Sequence, residues 1–174
     1  VDKTMDLFVC YSYEQSFFVH PDVRVTYRDA GHILGSASVY LEIRQAGKMI
    51  RLGFTGDIGR PNRPILRDPL PMQEVDYLIS ESTYGDKDHE QGPNEENIFL
   101  EIVNETCIRK KGKLIIPAFS VGKTQEIVYM LDRLYNTGQI GQIPVFVDSP
   151  LAVNATMVYG SHPECYDTDL NQYM

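Results

Sequence analysis

Three polar residues that each follow an apolar segment constrain what this sequence can fold into. His32, Asp57 and Glu81 all come directly after a stretch that alternation or apolar character marks as a strand. Strand ends are a usual place for functional side chains in α/β proteins. Each motif taken alone is also typical of an ordinary turn, because Asp and Gly occur in turns for backbone reasons.

The first half of the chain is predicted to consist mainly of strands. Alternating apolar and polar residues predict strands over residues 23–28 and 38–45. A turn at residues 45–48 then leads into an apolar segment, residues 49–54, which predicts the second strand of a β-hairpin. Four prolines make residues 60–71 a loop. A short apolar run then predicts one more buried strand over residues 75–80.

The second half alternates helical and strand-like segments. Apolar residues at helical spacing predict three helices, over residues 94–111, 122–135 and 151–159. Two short apolar runs between them, residues 114–117 and 144–147, predict strands, the first of which is buried. Helices that alternate with strands through short links favour a parallel sheet covered by helices. The composition changes near residues 86–93, where we predict a domain boundary.

The composition is typical of a soluble globular protein, and no apolar run is long enough to cross a bilayer. A net charge of -8 argues against a broad basic surface for nonspecific nucleic-acid binding. It does not exclude nucleic acid, because bound metal ions or a local basic groove can supply positive charge where the backbone lies. Cys10, Cys107 and Cys165 show neither a disulfide framework nor a CxxC pattern, so we expect free and mostly buried thiols in a reducing cytoplasm.

Five segments in sequence order resemble one known family. They read GHILGSASVYLEI, TGDIGR, ESTYG, GKLIIPAFSVGKTQEIVYML and PVFVDSPLA, and they cover nearly the whole chain from about Val23. They resemble the β-CASP branch of the metallo-β-lactamase superfamily, which includes ribonuclease J and the endonuclease of messenger-RNA 3′-end processing. The resemblance implies an α/β fold in two incomplete parts. Residues 1–90 would be part of a metallo-β-lactamase αββα sandwich, and residues 91–174 the first part of a β-CASP parallel-sheet domain.

The resemblance also implies an activity, the zinc-dependent hydrolysis of RNA phosphodiester bonds. His32 matches a histidine that ligates one zinc, Asp57 matches the carboxylate that bridges two zincs, and Glu81 matches an acidic residue that assists proton transfer. Imidazole and carboxylate are common zinc ligands in proteins. The HxHxDH motif, which supplies four zinc ligands in the family, does not occur in this sequence. We therefore expect an incomplete zinc site that is inactive by itself and belongs to a longer nuclease.

Three further residues are predicted to contact RNA. Lys123 and Ser149 stand where predicted helices begin and where backbone N–H groups attract phosphate, and Tyr84 lies close behind Glu81. The Gly122-Lys123-Thr124 sequence mimics a P-loop, but Pro117 stands where that loop requires glycine. Ordinary helix initiation and helix capping remain the alternatives for the two helix-start residues.

Other histidines and a group of aromatic residues have simpler interpretations. His20 has no partner histidine nearby. His89 and His162 lie in polar loop sequence where we expect structural or solvated side chains. For His89, which lies close behind Glu81 in sequence, contact with the site residues is the alternative. The aromatic group near the start of the chain is expected to pack in a core or on a surface covered by another part of the protein, with base stacking as the alternative. It comprises Tyr11, Tyr13, Phe17 and Phe18.

The leading hypothesis is a cytoplasmic zinc ribonuclease that acts in RNA processing or degradation, as a homodimer or in a processing complex. A metallo-β-lactamase-type hydrolase of DNA ends or small esters is the alternative enzyme. A noncatalytic scaffold subunit of an RNA-processing complex is the alternative without chemistry. Retention of His32, Asp57 and Glu81 argues against the scaffold, because a pseudoenzyme has no physical need for ligands at strand ends. The sequence does not distinguish an exonuclease from an endonuclease.

Overall fold

The computed structural model describes residues 2–87 and 95–173. The chain divides into two compact units, Val1–Thr83 and Tyr84–Met174. The boundary that we predicted between residues 90 and 91 lies outside the described residues, and so does His89.

The described residues of the first unit form a five-stranded mainly antiparallel sheet, preceded by a short helix α1, Asp2–Met5. Strands β1 to β4 pair with antiparallel neighbours, and β5 runs parallel to β4. The strands lie side by side in sequence order: β1 Ser16–His20, β2 Val23–Asp29, β3 Ala37–Gln45, β4 Lys48–Phe54 and β5 Tyr77–Ile79. The predicted strand and β-hairpin over residues 23–54 are therefore confirmed.

The hairpin turn between β3 and β4 fixes the register of these two strands. Gln45 and Lys48 are paired across the hairpin, and Ala46 and Gly47 between them have φ angles of 49° and 77°. Positive φ at both central residues matches the right-handed twist of the flanking strands.

β2, β4 and β5 run in the same direction, so their C-terminal ends lie at the same end of the sheet. His32, Asp57 and Glu81 each follow one of these strand ends by two or three residues. The sheet therefore carries the three predicted site residues on neighbouring turns.

Two features of the sheet differ from the sequence-based prediction. β5 is shorter than predicted and is not buried, since Tyr77, Leu78 and Ile79 are 64%, 53% and 53% exposed. It lies at the edge of the sheet and has a neighbouring strand, β4, on one side only. β1 was not predicted, because the residues Ser16–His20 show no alternation of polar and apolar side chains.

Aromatic rings pack together beside β1. Tyr11 stacks on Phe17 with ring centroids 3.6 Å apart, and Phe17 meets the edge of Tyr27 at 5.3 Å. These contacts agree with the expected packing role for Tyr11 and Phe17. Phe18 is 67% exposed, so the expected packing role is wrong for this residue.

Helices supply the regular structure of the second unit. A π-type turn, Asn104–Arg109, continues the first of them, so the predicted helix over residues 94–111 consists of two different helical segments. Val103 and Leu134 are fully buried at the centre of the unit. The helices are α2 Glu95–Val103, α3 Lys123–Asn136, α4 Pro150–Gly160 and α5 Thr168–Tyr173, with a 3₁₀ turn at Pro163–Cys165. The helices predicted over residues 122–135 and 151–159 are confirmed.

The two strands predicted in this unit are wrong. Residues 95–173 contain no strand, and Ile115 and Phe146 within the predicted segments are each 86% exposed. A parallel strand needs a neighbour with which to share hydrogen bonds. Apolar sequence shows what a segment would bury, and it does not show whether such a neighbour lies beside it. The expected parallel sheet is therefore absent from the described part of the second unit.

The cysteines and the helices can also be compared with what the composition predicted. Cys10, Cys107 and Cys165 are free thiols, as expected, but Cys10 is exposed and the other two are partly exposed, so the expected burial is wrong. Cys10 lies in an irregular segment before β1, which provides no core for it. Among the described residues, every helix is too short or too polar to span a membrane.

Candidate metal and RNA site

His32 and Asp57 lie side by side at the end of the sheet where β2 and β4 have their C-termini. Nε2 of His32 is 4.0 Å from Oδ2 of Asp57, and their side chains are 44% and 78% exposed. Imidazole and carboxylate ligands lie about 2 Å from a bound zinc ion, so two ligands of one ion are within about 4 Å of each other. The donor types and the separation of this pair therefore fit a zinc ion.

Hydrogen bonds hold the turn that carries His32. The amide of His32 donates to Oγ of Ser36 at 3.0 Å, and the amide of Gly31 donates to Oδ1 of Asp29 at 2.9 Å. The hydroxyl of Tyr13 donates to the carbonyl oxygen of Ser36 at 2.9 Å. The backbone below the imidazole is thus tied at both ends of the turn.

The loop that carries Asp57 lies directly against this turn. The amide of Gly59 donates to the carbonyl oxygen of Ala30 at 2.7 Å. A Cβ atom on Gly59 would lie 1.8 Å from the carbonyl oxygen of Gly31, so the two backbones meet where a side chain would stand. Because Gly59 lacks a side chain, the loop approaches close enough to place Asp57 beside His32.

Glu81 accepts hydrogen bonds at both carboxylate oxygens. The amide of Ile58 donates to Oε1 at 2.7 Å, and the hydroxyl of Thr83 donates to Oε2 at 2.8 Å. The bond from Ile58, followed by that from Thr83, holds the pKa of Glu81 below its usual value, and the charge of His32 acts in the same direction. Glu81 is therefore an ionised carboxylate at neutral pH and is bonded to the residue that follows Asp57.

The described part of the chain does not complete a metal site. Across residues 2–87 and 95–173, no group of three or more His, Cys, Asp or Glu side chains has an arrangement that could hold a metal ion. Catalytic zinc sites take three protein ligands and an open position. His32 and Asp57 thus supply fewer ligands than a catalytic zinc requires.

Lys123, at the first position of α3, is paired within its own helix. Its Nζ atom lies 2.6 Å from Oε2 of Glu126. The preceding residue, Gly122, has a φ angle of 82°, and its amide donates to Oε1 of Gln125 at 2.7 Å. Helix initiation accounts for these contacts, and the predicted contact of Lys123 with RNA stays a prediction.

Ser149 caps α4. The amide of Ala152 donates to Oγ of Ser149 at 3.2 Å, and Pro150 occupies the first helical position. The same Oγ lies 3.2 Å from Oγ of Ser120, which precedes α3. The capping alternative is confirmed, and a contact of Ser149 with RNA stays a prediction.

The remaining candidate residues lie on the surface. Tyr84 is 56% exposed, and its ring centroid lies 6.0 Å from Nζ of Lys87. Nδ1 of His162 is 2.7 Å from Oε1 of Glu164, in agreement with the loop position expected for this histidine. The predicted contact of Tyr84 with RNA stays a prediction.

Three residues that support this site are not among those predicted from the sequence: Ser36, Ile58 and Thr83. A hydroxyl residue in a turn commonly accepts hydrogen bonds from nearby amides, and this signal was available at Ser36. Ile58 acts through its backbone amide, a group that every residue except proline has, so the residue type does not reveal this role. Thr83 acts on Glu81, two residues away, through a local side-chain contact.

The sequence matches one protein-family model over part of its length. The model described as the Beta-Casp domain matches residues 124–173, a range that contains α4, α5 and nearly all of α3.

Three curated relatives match most of the chain. An RNase J-like protein of Methanocaldococcus jannaschii is 34% identical over 165 residues, which are 93% of this chain and 38% of the relative. Transcription termination factor FttA of Methanosarcina mazei is 33% identical over 99% of this chain and 27% of the relative. Endoribonuclease YSH1 of Kluyveromyces lactis is 32% identical over 86% of this chain and 20% of the relative.

This chain spans less than two fifths of the length of each of these relatives. The match to the Beta-Casp domain and the identity to these relatives over most of this chain define the class of protein. The chain belongs to the β-CASP branch of the metallo-β-lactamase superfamily.

Proposed function

We propose that this chain is part of a zinc-dependent hydrolase of RNA phosphodiester bonds that acts in RNA processing or degradation. The 4.0 Å separation between Nε2 of His32 and Oδ2 of Asp57 carries the proposal, because it brings two zinc-ligand types together at one end of the sheet. The names of the relatives support RNA as the substrate, since one is RNase J-like and another is an endoribonuclease.

The two residues would hold zinc in different ways. His32 offers a single nitrogen, whereas Asp57 has two oxygens and suits a position between two ions. Zinc supplies positive charge that stabilises a phosphoryl oxygen and lowers the pKa of water to near neutrality. The further ligands of a two-zinc site would come from parts of the whole protein outside this sequence.

Glu81 and the substrate contacts complete the proposal. The ionised carboxylate of Glu81 would assist proton transfer by orienting and stabilising a protonated histidine, which is the role of the carboxylate in a catalytic triad. Lys123, Ser149 and Tyr84 would contact the RNA. For Lys123 this contact has to compete with its ion pair to Glu126.

Replacing each proposed ligand tests the function. In the whole protein, His32→Ala and Asp57→Ala should each weaken zinc binding by about tenfold or more and slow RNA cleavage by about 100-fold or more. Zinc affinity is measured by competition with a chelating dye, and cleavage is measured on a labelled RNA. Wild-type zinc affinity and cleavage in Asp57→Ala would overturn the proposal.

His20 and Asp22 provide a matched control. They form a similar pair between β1 and β2, with Nδ1 of His20 3.9 Å from Oδ2 of Asp22. Replacing either one with alanine should change neither zinc affinity nor cleavage. Cleavage of DNA ends or of an ester, without cleavage of RNA, would favour the other enzyme class. Zinc binding without any cleavage would favour the scaffold.

A further inference from the structure

Glu81 connects the two parallel strands that carry the acidic residues of the site. It follows β5, whereas Asp57 and Ile58 follow the neighbouring strand β4. The amide of Ile58 donates to Oε1 of Glu81 at 2.7 Å, although the two residues are 23 positions apart in sequence. This hydrogen bond fixes the peptide unit that directly follows Asp57.

The surroundings of Glu81 hold its carboxylate in place. The hydroxyl of Thr83 donates to the second carboxylate oxygen at 2.8 Å, and the backbone amide of Glu81 donates to Oγ1 of Thr55 at 3.1 Å. The amide of Thr55 in turn donates to the carbonyl oxygen of Ile79 at 3.0 Å. Glu81 is therefore anchored through both its main chain and its side chain to the ends of β4 and β5.

Asp57, in contrast, lies in an exposed loop segment between two glycines, of which Gly59 is held by its hydrogen bond to Ala30. Gly56 precedes it with a φ angle of 58°, Gly59 lies two residues after it, and its own side chain is 78% exposed. Glycines widen the range of backbone conformations that a segment adopts. A defined direction for the Asp57 carboxylate therefore requires contacts from outside the segment, and the bond from Ile58 to Glu81 is one of them.

We infer that Glu81 is a positioning residue for Asp57, because its carboxylate holds the amide of Ile58 and thereby keeps the Asp57 carboxylate beside His32. The inference rests on the proposed function, because it assumes that His32 and Asp57 bind a metal ion. The hydrogen bond from Ile58 to Glu81 is tested in the zinc-free protein. Residues that orient metal ligands typically change metal affinity by about 10- to 100-fold when they are removed. Positioning of Asp57 is separate from the role in proton transfer proposed above for Glu81, which requires that Glu81 contact the group that carries the proton.

Two substitutions separate positioning from charge. Glu81→Gln keeps an oxygen acceptor for the Ile58 amide and removes the negative charge, whereas Glu81→Ala removes both. Hydrogen exchange at the Ile58 amide, measured by NMR in the zinc-free protein, reports the bond directly. We expect exchange to be about tenfold faster in Glu81→Ala and close to wild type in Glu81→Gln. Zinc affinity should fall by about tenfold in Glu81→Ala and change by less than about threefold in Glu81→Gln.

Asp76 provides a matched control on the same strand pair. Its Oδ2 atom accepts a hydrogen bond from the amide of Arg51 at 2.8 Å, in the middle of β4 and directly before β5 begins. Asp76→Ala should accelerate exchange at Arg51. It should leave both the exchange rate of Ile58 and the zinc affinity unchanged, which separates a local positioning effect from a general loosening of the sheet.

Three results would overturn the inference. The first is equal exchange at Ile58 in wild type and Glu81→Ala, because the carboxylate would then not hold the amide. The second is faster exchange with unchanged zinc affinity, and the third is an equal loss of zinc affinity in Glu81→Gln and Glu81→Ala. Failure of the proposed function looks different, since His32→Ala would then bind zinc as wild type does while the exchange results at Ile58 stand.

Discussion

The amide of Gly59 donates a hydrogen bond of 2.7 Å to the carbonyl oxygen of Ala30, and this contact joins the loop after β4 to the turn after β2. The contact involves only backbone atoms. One of the two joined segments carries His32 and the other carries Asp57, the two residues of the candidate metal pair. The position of His32 relative to Asp57 therefore depends on how closely two main-chain segments approach.

Gly59→Ala tests this dependence. Its Cβ atom would lie 1.8 Å from the carbonyl oxygen of Gly31, so the two segments have to separate. We expect the free energy of unfolding to fall by about 1–3 kcal/mol, together with weaker zinc binding. Denaturant unfolding and a zinc competition assay measure the two effects.

Gly141→Ala is the control for this substitution, because nothing lies within 4 Å of a Cβ atom added there. Its stability should stay within about 0.5 kcal/mol of wild type. If Gly59→Ala proved as stable as Gly141→Ala and bound zinc equally well, the close contact would not matter for the site.

The pKa of Glu81 predicts a pH dependence of stability. Hydrogen bonds, first from Ile58 and then from Thr83, hold this pKa below its usual value of 4.5 in the folded chain. Between the two pKa values the unfolded chain binds more protons, so the contribution of Glu81 is complete above the unfolded pKa and is lost as pH falls through the folded pKa. In zinc-free protein, the unfolding midpoint of wild type should fall more steeply below about pH 4.5 than that of Glu81→Gln. Identical slopes would argue against these bonds.

Gln125 predicts a stability effect in the second unit. Its side chain is buried and donates to Oγ1 of Thr156 at 2.9 Å and to the carbonyl oxygen of Ser120 at 3.2 Å, while Oε1 accepts from the amide of Gly122 at 2.7 Å. Gln125→Ala removes all three of these hydrogen bonds at once. It should therefore lower the free energy of unfolding by about 2–3 kcal/mol.

Gln139→Ala is the matched control for Gln125→Ala. The side chain of Gln139 is exposed and its Nε2 atom bonds to Oγ1 of Thr137 at 3.1 Å. Its removal should change stability by less than about 0.5 kcal/mol. Similar losses in the two variants, measured by chemical denaturation, would show that burial of Gln125 has no special weight.

Ser149→Asp separates helix capping from contact with RNA. Aspartate is a good cap, so this variant should be about as stable as wild type, whereas Ser149→Ala should lose about 1 kcal/mol. If Ser149 contacts a phosphate group, the added negative charge should weaken RNA binding in the whole protein. Asn154→Asp adds the same charge further along α4 and serves as the control. Equal RNA affinity in both aspartate variants would argue against a contact at Ser149.

Local sequence patterns predicted those elements whose side chains alternate between two environments. β2 and β3 alternate, β4 follows a turn sequence, and α3 and α4 begin at helix-start signals, so their positions were predicted. The apolar residues 114–117 and 144–147 suggested strands, but strand formation depends on a paired neighbour that the local sequence does not specify. β1 shows the opposite case, because it pairs with β2 without an alternating sequence of its own.

The candidate site was predicted residue by residue, and its geometry was not. The separation of His32 from Asp57 follows from the contact of Gly59 with Ala30, which joins turns far apart in sequence. The main partner of Glu81 is the amide of Ile58, and any residue except proline has such an amide. A contact to the backbone therefore leaves no signal in the side chains.

The parallel pairing of β5 with β4 also has a consequence for the order of folding. The hairpin of β3 and β4 joins residues that are close in sequence and forms early, whereas β5 pairs only after a long proline-containing connection has closed. During synthesis, the turn with His32 and the loop with Asp57 emerge before Glu81 does. We therefore expect the candidate metal pair, His32 and Asp57, to gain its final orientation late, when β5 pairs with β4.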